Sequence, residues 1–235
     1  MNIDYEYFKL YLKYGISYLP NTLYMTLISL VFGVVLGSGI AIVRTYKVKV
    51  LNPIFTLLLA TLKAVPTNLI MVMSSIIFTR NFINITKVLG INMKLREFNM
   101  LYLASFALVL TSVAMISESI RGALLSVPKV QYDAGYSIGL TKTQNFFRII
   151  LPQAFLVMLP SMMSNVISLI KMTSLASTLG VMDVLNGCLQ KSGTSYRFLE
   201  AYLAAALIYW VISIILELIG KLLEKKLNVY RKQAL

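Results

Sequence analysis

Five long apolar segments constrain this chain more than any other feature of its sequence. They run approximately over residues 17–43, 53–79, 99–119, 155–172 and 198–219. Each is long enough to cross a hydrocarbon core of about 30 Å at a rise of about 1.5 Å per residue. Because they are apolar around most of their circumference, they are typical of bilayer or bundle helices. The sequence therefore predicts an all-α, multi-pass membrane helix bundle in a single domain, 1–235.

Composition agrees with a membrane protein and excludes several chemistries. The chain is 58% hydrophobic with a mean hydropathy of +0.76, above the roughly 45–50% apolar content of soluble domains. With no histidine and only Cys188, it has no disulfide, no cysteine or histidine metal site and no histidine catalysis. We therefore predict no catalytic and no metal-binding residues. The net charge of +13 suits loops facing anionic lipid better than a nucleic-acid partner.

Lysine and arginine in the connections indicate the orientation. They are in modest excess on the side that holds the C-terminus, which predicts an outer N-terminus and a cytosolic C-terminus. Pro66 and Pro160 lie inside two predicted spans. Neighbouring helices can compensate the lost backbone hydrogen bonds, so we expect kinks rather than helix ends there.

The polar connection at about 121–154 has the local chemistry of two short helices. Pro128 suits a helix first turn, Gly139 suits a helix C-terminus, and Thr141 with Gln144 forms a capping-box pattern that can begin a second helix. Apolar side chains recur along the first helix at i, i+4 and i+8: Val130, Ala134 and Ile138.

The same connection carries a recognisable spacing of residue types. Asp133-Ala134-Gly135 is followed by Gly139 four residues after Gly135, and later by Ile149-Ile150-Leu151-Pro152. This resembles the EAA loop of ABC-importer permeases, which forms short cytosolic helices that dock into the ATP-hydrolysing subunit. The resemblance implies six coupling residues: Asp133, Ala134, Gly135, Gly139, Leu151 and Pro152. The alternative is an ordinary amphipathic loop on the membrane surface.

Two further motifs narrow the resemblance. Glu118, Arg121 and Gly122 look like the Glu-x-x-Arg-Gly of polar-amino-acid permeases, and residues 171–175, Lys-Met-Thr-Ser-Leu, look like their Lys-Asp-Thr-Ser-Leu. The family implies a type I importer in the bacterial cytoplasmic membrane. Its partners would be ATP-hydrolysing ABC subunits, a second permease subunit (identical or homologous), an extracellular solute-binding protein and an amino-acid substrate.

Two departures bear on the substrate. Met172 stands where the family has an acid, and the usual Arg-Gly-Thr-Pro of the second span is Lys63-Ala64-Val65-Pro66 here. Losing the carboxylate disfavours arginine or lysine, unless a non-identical partner permease supplies the acid. A soft methionine surface suits cystine or another sulfur-containing or apolar amino acid. The exact substrate and the identity of the second permease stay open.

We predict a substrate site between the second and fourth spans. Lys171 would meet the carboxylate of an amino acid, and a helix opened at Pro66 would expose backbone groups. The predicted site consists of Pro66, Thr67, Lys171, Thr173 and Ser174. The alternative is that these residues only kink and anchor helices, or that the partner permease carries the site. Lys63 lies too deep to reach the headgroups easily, so it should face a cavity or an acid.

The chain lacks the motif of an ATPase. No Gly-x-x-x-x-Gly-Lys-[Ser/Thr] occurs, so the phosphate cradle of an ATP-hydrolysing protein is missing. We expect the chain not to be an enzyme and to bind no cofactor, with ATP and Mg²⁺ on the partner ATPase. The rival function is a gradient-driven secondary carrier or channel that uses Lys63 and Glu118. An enzyme within the membrane would have little acid–base chemistry available.

Overall fold

The structure combines long apolar helices with shorter helices between them. The computed structural model describes residues 3–233, with side chains described to residue 227, and contains no strand in that range. The helices in chain order are α1 (Tyr5–Ser17), α2 (Leu19–Thr45), α3 (Leu51–Ala64), α4 (Thr67–Val88), α5 (Met100–Ser126), α6 (Lys129–Ser137), α7 (Lys142–Asn145), α8 (Leu151–Met172), α9 (Val184–Leu189), α10 (Ser192–Ser195) and α11 (Phe198–Gln233). Short 3-10 helices cover Leu95–Glu97 and Thr173–Leu179.

Five elements are long and apolar enough to cross a membrane, as predicted. They are Leu19–Thr45, Thr67–Val88, Met100–Ser126, Lys142–Leu179 and Phe198–Leu227. The third, fourth and fifth extend beyond the apolar stretches into polar sequence. Apolar length therefore locates a membrane-crossing helix, while its ends follow from capping and turn residues.

The predicted second span is two helices and not one. Helix α3 ends at Ala64, Val65 is extended with φ −88° and ψ 126°, and α4 begins after Pro66. Proline disfavours the helical conformation in the residue before it, which explains the break at Val65. The prediction of a single kinked helix over 53–79 is therefore wrong. Pro160, in contrast, lies inside the continuous helix α8, as expected.

Helices α2 and α5 form the centre of the bundle. A Cβ on Gly33 would lie 2.6 Å from Oγ of Ser112, and one on Gly37 would lie 3.1 Å from the backbone N of Ser117. Ser112 Oγ also donates a 2.6 Å hydrogen bond to the Ser29 carbonyl. The Gly-x-x-x-Gly spacing in α2 thus brings two membrane-crossing backbones close together.

The end of the bundle at which α2 begins carries an additional layer, made of α1, α9 and the first turns of α11. We call it the outer layer, because the predicted orientation puts it outside. Its core contains Tyr11, Val184, Cys188, Ala201 and Ala204, all fully buried. A Cβ on Gly15 would lie 2.6 Å from Cδ1 of Ile208, so α1 packs tightly against α11. Sequence patterns did not predict this layer.

Candidate functional site

Residues 127–150, here called the α5–α8 connection, lie at the end of the bundle opposite the outer layer. Helix α6 begins after Pro128, which is its N-cap. At its C-terminus Gly139 has φ +82°, the Gly139 N–H donates to the Tyr136 carbonyl at 3.0 Å, and the Leu140 N–H donates to the Gly135 carbonyl at 3.1 Å. These two bonds define a Schellman motif, which needs a left-handed residue at the position of Gly139. The predicted role of Gly139 as a helix terminator is confirmed.

The second helix of the connection begins at the predicted capping box. The Gln144 N–H donates to Oγ1 of Thr141 at 3.3 Å, and the Thr141 N–H donates to Oε1 of Gln144 at 3.0 Å. The helix does not end before the membrane, however. A π-helical turn at Phe146–Ile150 carries it directly into α8. The prediction of two separate short helices is therefore correct for α6 alone.

Gly135 has a role inside the connection. A Cβ at this position would lie 2.6 Å from Nδ2 of Asn145, whose side chain is 1% exposed. Asn145 Nδ2 donates a 2.8 Å hydrogen bond to the Tyr132 carbonyl, which fastens α7 to α6. The close packing of Asn145 therefore leaves no room for a side chain at position 135. Gly135, one of the six implied coupling residues, is therefore buried inside the connection and does not lie on its surface.

The other predicted coupling residues lie on the surface of the connection. Asp133, Ala134 and Gly139 are exposed, as are Leu151 and Pro152 at the start of α8. The predicted apolar stripe is exposed as well, with Val130 at 65% and Ile138 at 73%. Phe147 adds a third apolar side chain at 61% exposure. Apolar side chains in such exposure are available to bind another molecule.

The predicted substrate residues fall into accessible and inaccessible groups. Pro66 and Lys171 are exposed, and Thr67 and Ser174 are half-buried. Thr173 is fully buried, and its hydroxyl donates a 2.7 Å hydrogen bond to the Ile170 carbonyl. Its predicted contact with a substrate is therefore not available in this conformation. One hydrophobic cluster joins the start of α4 to the 173–179 segment, so the two halves of the predicted site are neighbours: Ile70, Met71, Ala176 and, packed against them, Val65 and Met172.

A cluster of four charges lies where α2, α3 and α5 approach one another. Glu118 accepts a hydrogen bond from Nη1 of Arg44, and its Oε1 lies 3.5 Å from Nζ of Lys63. Its Oε2 lies 3.5 Å from Nη2 of Arg121. Lys63 thus meets an acid, as its depth in the sequence predicted. We call Glu118, Arg44, Lys63 and Arg121 the inner charge cluster.

Sequence reasoning missed the buried carboxylate of the outer layer. Asp183 is 0% exposed and caps α9 by accepting the Asn186 N–H at 2.8 Å. Its Oδ2 accepts a 2.9 Å hydrogen bond from the Tyr209 hydroxyl on α11. Burial raises the pKa of Asp183 above its ordinary value, and the two hydrogen bonds oppose that rise. The Asp-x-x-Asn capping spacing before a short helix was the available signal.

The described residues contain no group of three or more histidine, cysteine, aspartate or glutamate side chains that could hold a metal ion.

Comparison with known proteins identifies the family. Residues 29–229 match the family described as the inner membrane component of binding-protein-dependent transport systems. The chain belongs to this family. It is similar over 97% of its length, at 34% identity, to PatM of Vibrio harveyi, named a probable amino-acid ABC transporter permease, and covers 98% of that protein. It is 35% identical over 90% of its length to TcyL of Bacillus subtilis, an L-cystine transport system permease, and covers 86% of it.

Two solved structures share the fold of this inner membrane component. A crystal structure of an amino acid ABC transporter with histidines superposes with a TM-score of 0.78 at 24% identity, over 96% of this chain and 100% of that one. An inward-facing MetNI methionine ABC transporter gives a TM-score of 0.71 at 16% identity, over 90% and 95%. The fold prediction is confirmed: this is an all-α, multi-pass bundle of the importer type. The chain is the membrane component and not an enzyme.

Proposed function

We propose that the chain is the permease subunit of an ATP-binding-cassette importer that moves amino acids into the cell. The observation that carries the proposal is the α5–α8 connection. A rigid pair of helices, fastened by Asn145 and ended by Gly139, exposes Val130, Ile138 and Phe147 beside Asp133. An ordered element with exposed apolar side chains suits transmission of a partner's motion into α5, which ends at this connection, and into α8, which begins there.

The proposal assigns the other subunits of the complex by role. Two ATP-hydrolysing subunits bind ATP and Mg²⁺, and one of them docks on the α5–α8 connection of this chain. A second permease, identical or homologous, completes the pathway, and an extracellular solute-binding protein delivers the substrate. Membership of a binding-protein-dependent family supports this arrangement.

We further propose cystine or another sulfur-containing or polar amino acid as the substrate. Two relatives, TcyL and TcyB of Bacillus subtilis, are named L-cystine transport system permeases and are each 35% identical to this chain. Met172 supports this choice, because it is half-buried next to the proposed site and offers a polarizable surface where a carboxylate would favour a cationic side chain.

The proposed substrate site keeps its five residues but divides their roles. Lys171 binds the substrate carboxylate and Thr67 orients it. Ser174, whose hydroxyl donates a 2.7 Å hydrogen bond to the Lys171 carbonyl, releases that bond to join them. Pro66 opens the chain between α3 and α4, and Thr173 holds the turn after α8 through its bond to Ile170.

Uptake of labelled L-cystine and L-glutamine by the reconstituted complex tests the proposal. We expect uptake that requires ATP and the binding protein. Lys171→Met should raise the KM about tenfold while the ATPase stays bound, and Lys191→Met, an exposed lysine beyond α9, serves as the matched control. ATP-independent uptake driven by an ion gradient would contradict the importer, and an unchanged KM in Lys171→Met would move the site elsewhere.

A further inference from the structure

The inner charge cluster has more positive charge than its carboxylate can balance. Arg44 is the most enclosed cation, with its side chain 11% exposed; besides Glu118 it has Thr56, whose Oγ1 accepts from Arg44 Nε at 3.2 Å. Arg44 and Glu118 therefore form a satisfied pair. Lys63 and Arg121 share the same carboxylate at 3.5 Å, and no other acid among the described residues lies within 4 Å of either. The cluster carries a net charge of +2.

The two surplus cations are open to a ligand. The Lys63 side chain is 50% exposed and the Arg121 side chain 33% exposed. Nε of Arg121 is buried and has no hydrogen-bond partner among the described residues, so its guanidinium is incompletely satisfied there. Unbalanced cations in a membrane-crossing bundle are costly unless an anion or water compensates them.

Lys63 lies next to the proposed substrate site, which favours the substrate carboxylate as the anion that binds it. It lies three residues before Pro66, at the end of the helix that breaks beside the proposed substrate residues. Arg121 lies on α5, five residues before that helix ends at the α5–α8 connection. A solute that moved from the break toward the connection would meet these two cations on its way.

We propose that Lys63 and Arg121 form an inner carboxylate subsite, which holds the carboxylate of the amino acid after it leaves Lys171. This inference rests on the proposed function. Lys63 exchanges its shared contact with Glu118 for the substrate carboxylate, while Arg44 remains paired and keeps Glu118 in place. The ligand chemistry is a carboxylate, and a phospholipid phosphate is the competing source of an oxyanion.

The test measures equilibrium binding of labelled L-cystine and L-glutamine to the nucleotide-free complex in lipid nanodiscs. We expect Lys63→Met to weaken binding of the transported one about tenfold, and Lys63→Arg to restore it. Lys49→Met, at an exposed lysine on the same side of the bundle, should leave it unchanged. The carboxamide analogue of the bound amino acid should bind the wild type weakly and should lose nothing further in Lys63→Met.

These outcomes distinguish failure of the subsite proposal from failure of the proposed function. If the wild type binds and transports but Lys63→Met binds with unchanged affinity, the subsite is wrong and the importer stands. If the wild type neither binds nor transports either amino acid, the proposed function fails first. Native mass spectrometry supplies the remaining arm: a phospholipid held by the wild type and lost in Lys63→Met, with amino-acid affinity unchanged, would assign the cations to lipid and overturn the inference.

Discussion

The α5–α8 connection and the outer layer both use short helices held by polar groups, yet they differ in what they do with apolar side chains. In the outer layer Tyr11, Val184 and Cys188 are fully buried. In the connection, Val130, Ile138 and Phe147 are more than half exposed, although a hydrogen bond from Asn145 Nδ2 to the Tyr132 carbonyl joins α7 to α6 beneath them. Folding of the chain alone buries the core of the outer layer, although Tyr5 and Tyr202 at its surface stay 72% and 53% exposed. The connection keeps the apolar side chains of its own predicted stripe exposed, where they are available to another molecule.

This difference separates two kinds of mutation. Changes in the outer layer should lower the stability of the isolated chain. Changes to exposed side chains of the connection should leave the chain folded and affect only the assembled transporter. The predictions below test that separation, from the largest expected effect to the smallest.

Gly135→Leu should have the largest effect on assembly with the ATPase, because it damages the inside of the connection. The new side chain would overlap Asn145, which is buried and bonded to the Tyr132 carbonyl. Overpacking of this kind typically costs about 1–3 kcal/mol, here concentrated in one short helix pair. We expect near-complete loss of ATPase co-purification with the protein still in the membrane. Normal co-purification would show that the packing of α6 on α7 is unimportant for assembly.

Asp183→Leu should destabilise the outer layer by about 2–4 kcal/mol, because it removes a helix cap and leaves the Tyr209 hydroxyl and the Asn186 N–H without their acceptor. The melting temperature of the purified chain reports the loss. Asp133→Leu is the matched control, since that carboxylate is exposed on α6 and makes no side-chain hydrogen bond. Equal melting temperatures for the two variants would contradict the comparison.

The same carboxylate predicts a pH dependence of stability. Its raised pKa means that the folded chain holds this proton more tightly than the unfolded chain does. The stabilisation is complete below the ordinary aspartate pKa and is lost as the pH rises through the raised value. Asp183→Asn should abolish this component of the pH dependence, as measured by melting at stepwise higher pH.

Gly139→Ala should cost about 1–2 kcal/mol, because φ +82° is unfavourable for a residue with a Cβ. Gly122 gives an unusually close control: neither glycine would place a Cβ within 4 Å of another atom, but Gly122 lies inside the regular helix α5. Gly122→Ala should therefore stabilise by about 0.5–1 kcal/mol. A lower melting temperature for Gly139→Ala and a higher one for Gly122→Ala would confirm that residue 139 must be glycine because of its backbone conformation, not because a Cβ would clash.

Local signals in the sequence predicted the connection well. Thr141 with Gln144, and Gly139 after an apolar stripe, act over a few residues, so their geometry follows from short-range hydrogen bonds. The Schellman turn and the capping box therefore appear where the sequence places them. The continuous helix from Lys142 into α8 was not predicted, because the apolar stretch that located the fourth span begins only at about residue 155.

Long-range features could not be predicted in the same way. That Lys63 needs an acid followed from its depth, but Glu118 is 55 positions away in a 235-residue chain, and several acids could have served. The break at Val65 illustrates a different limit. A proline in an apolar stretch permits a kink or an end, and packing of both flanking helices against α5 decides between them.

The most direct test of the central claim is Ala134→Trp, which enlarges the exposed face of α6 without touching its packing against Asn145. Two rates are measured in the reconstituted complex: substrate-stimulated ATP hydrolysis and substrate uptake. Each rate of Ala134→Trp is divided by the same rate of Lys49→Trp, an exposed substitution outside the connection. We predict an unchanged melting temperature of the isolated chain, with stimulated hydrolysis and uptake both reduced at least about tenfold. Full stimulation and full uptake in Ala134→Trp would contradict the assignment of the α5–α8 connection as the ATPase docking surface.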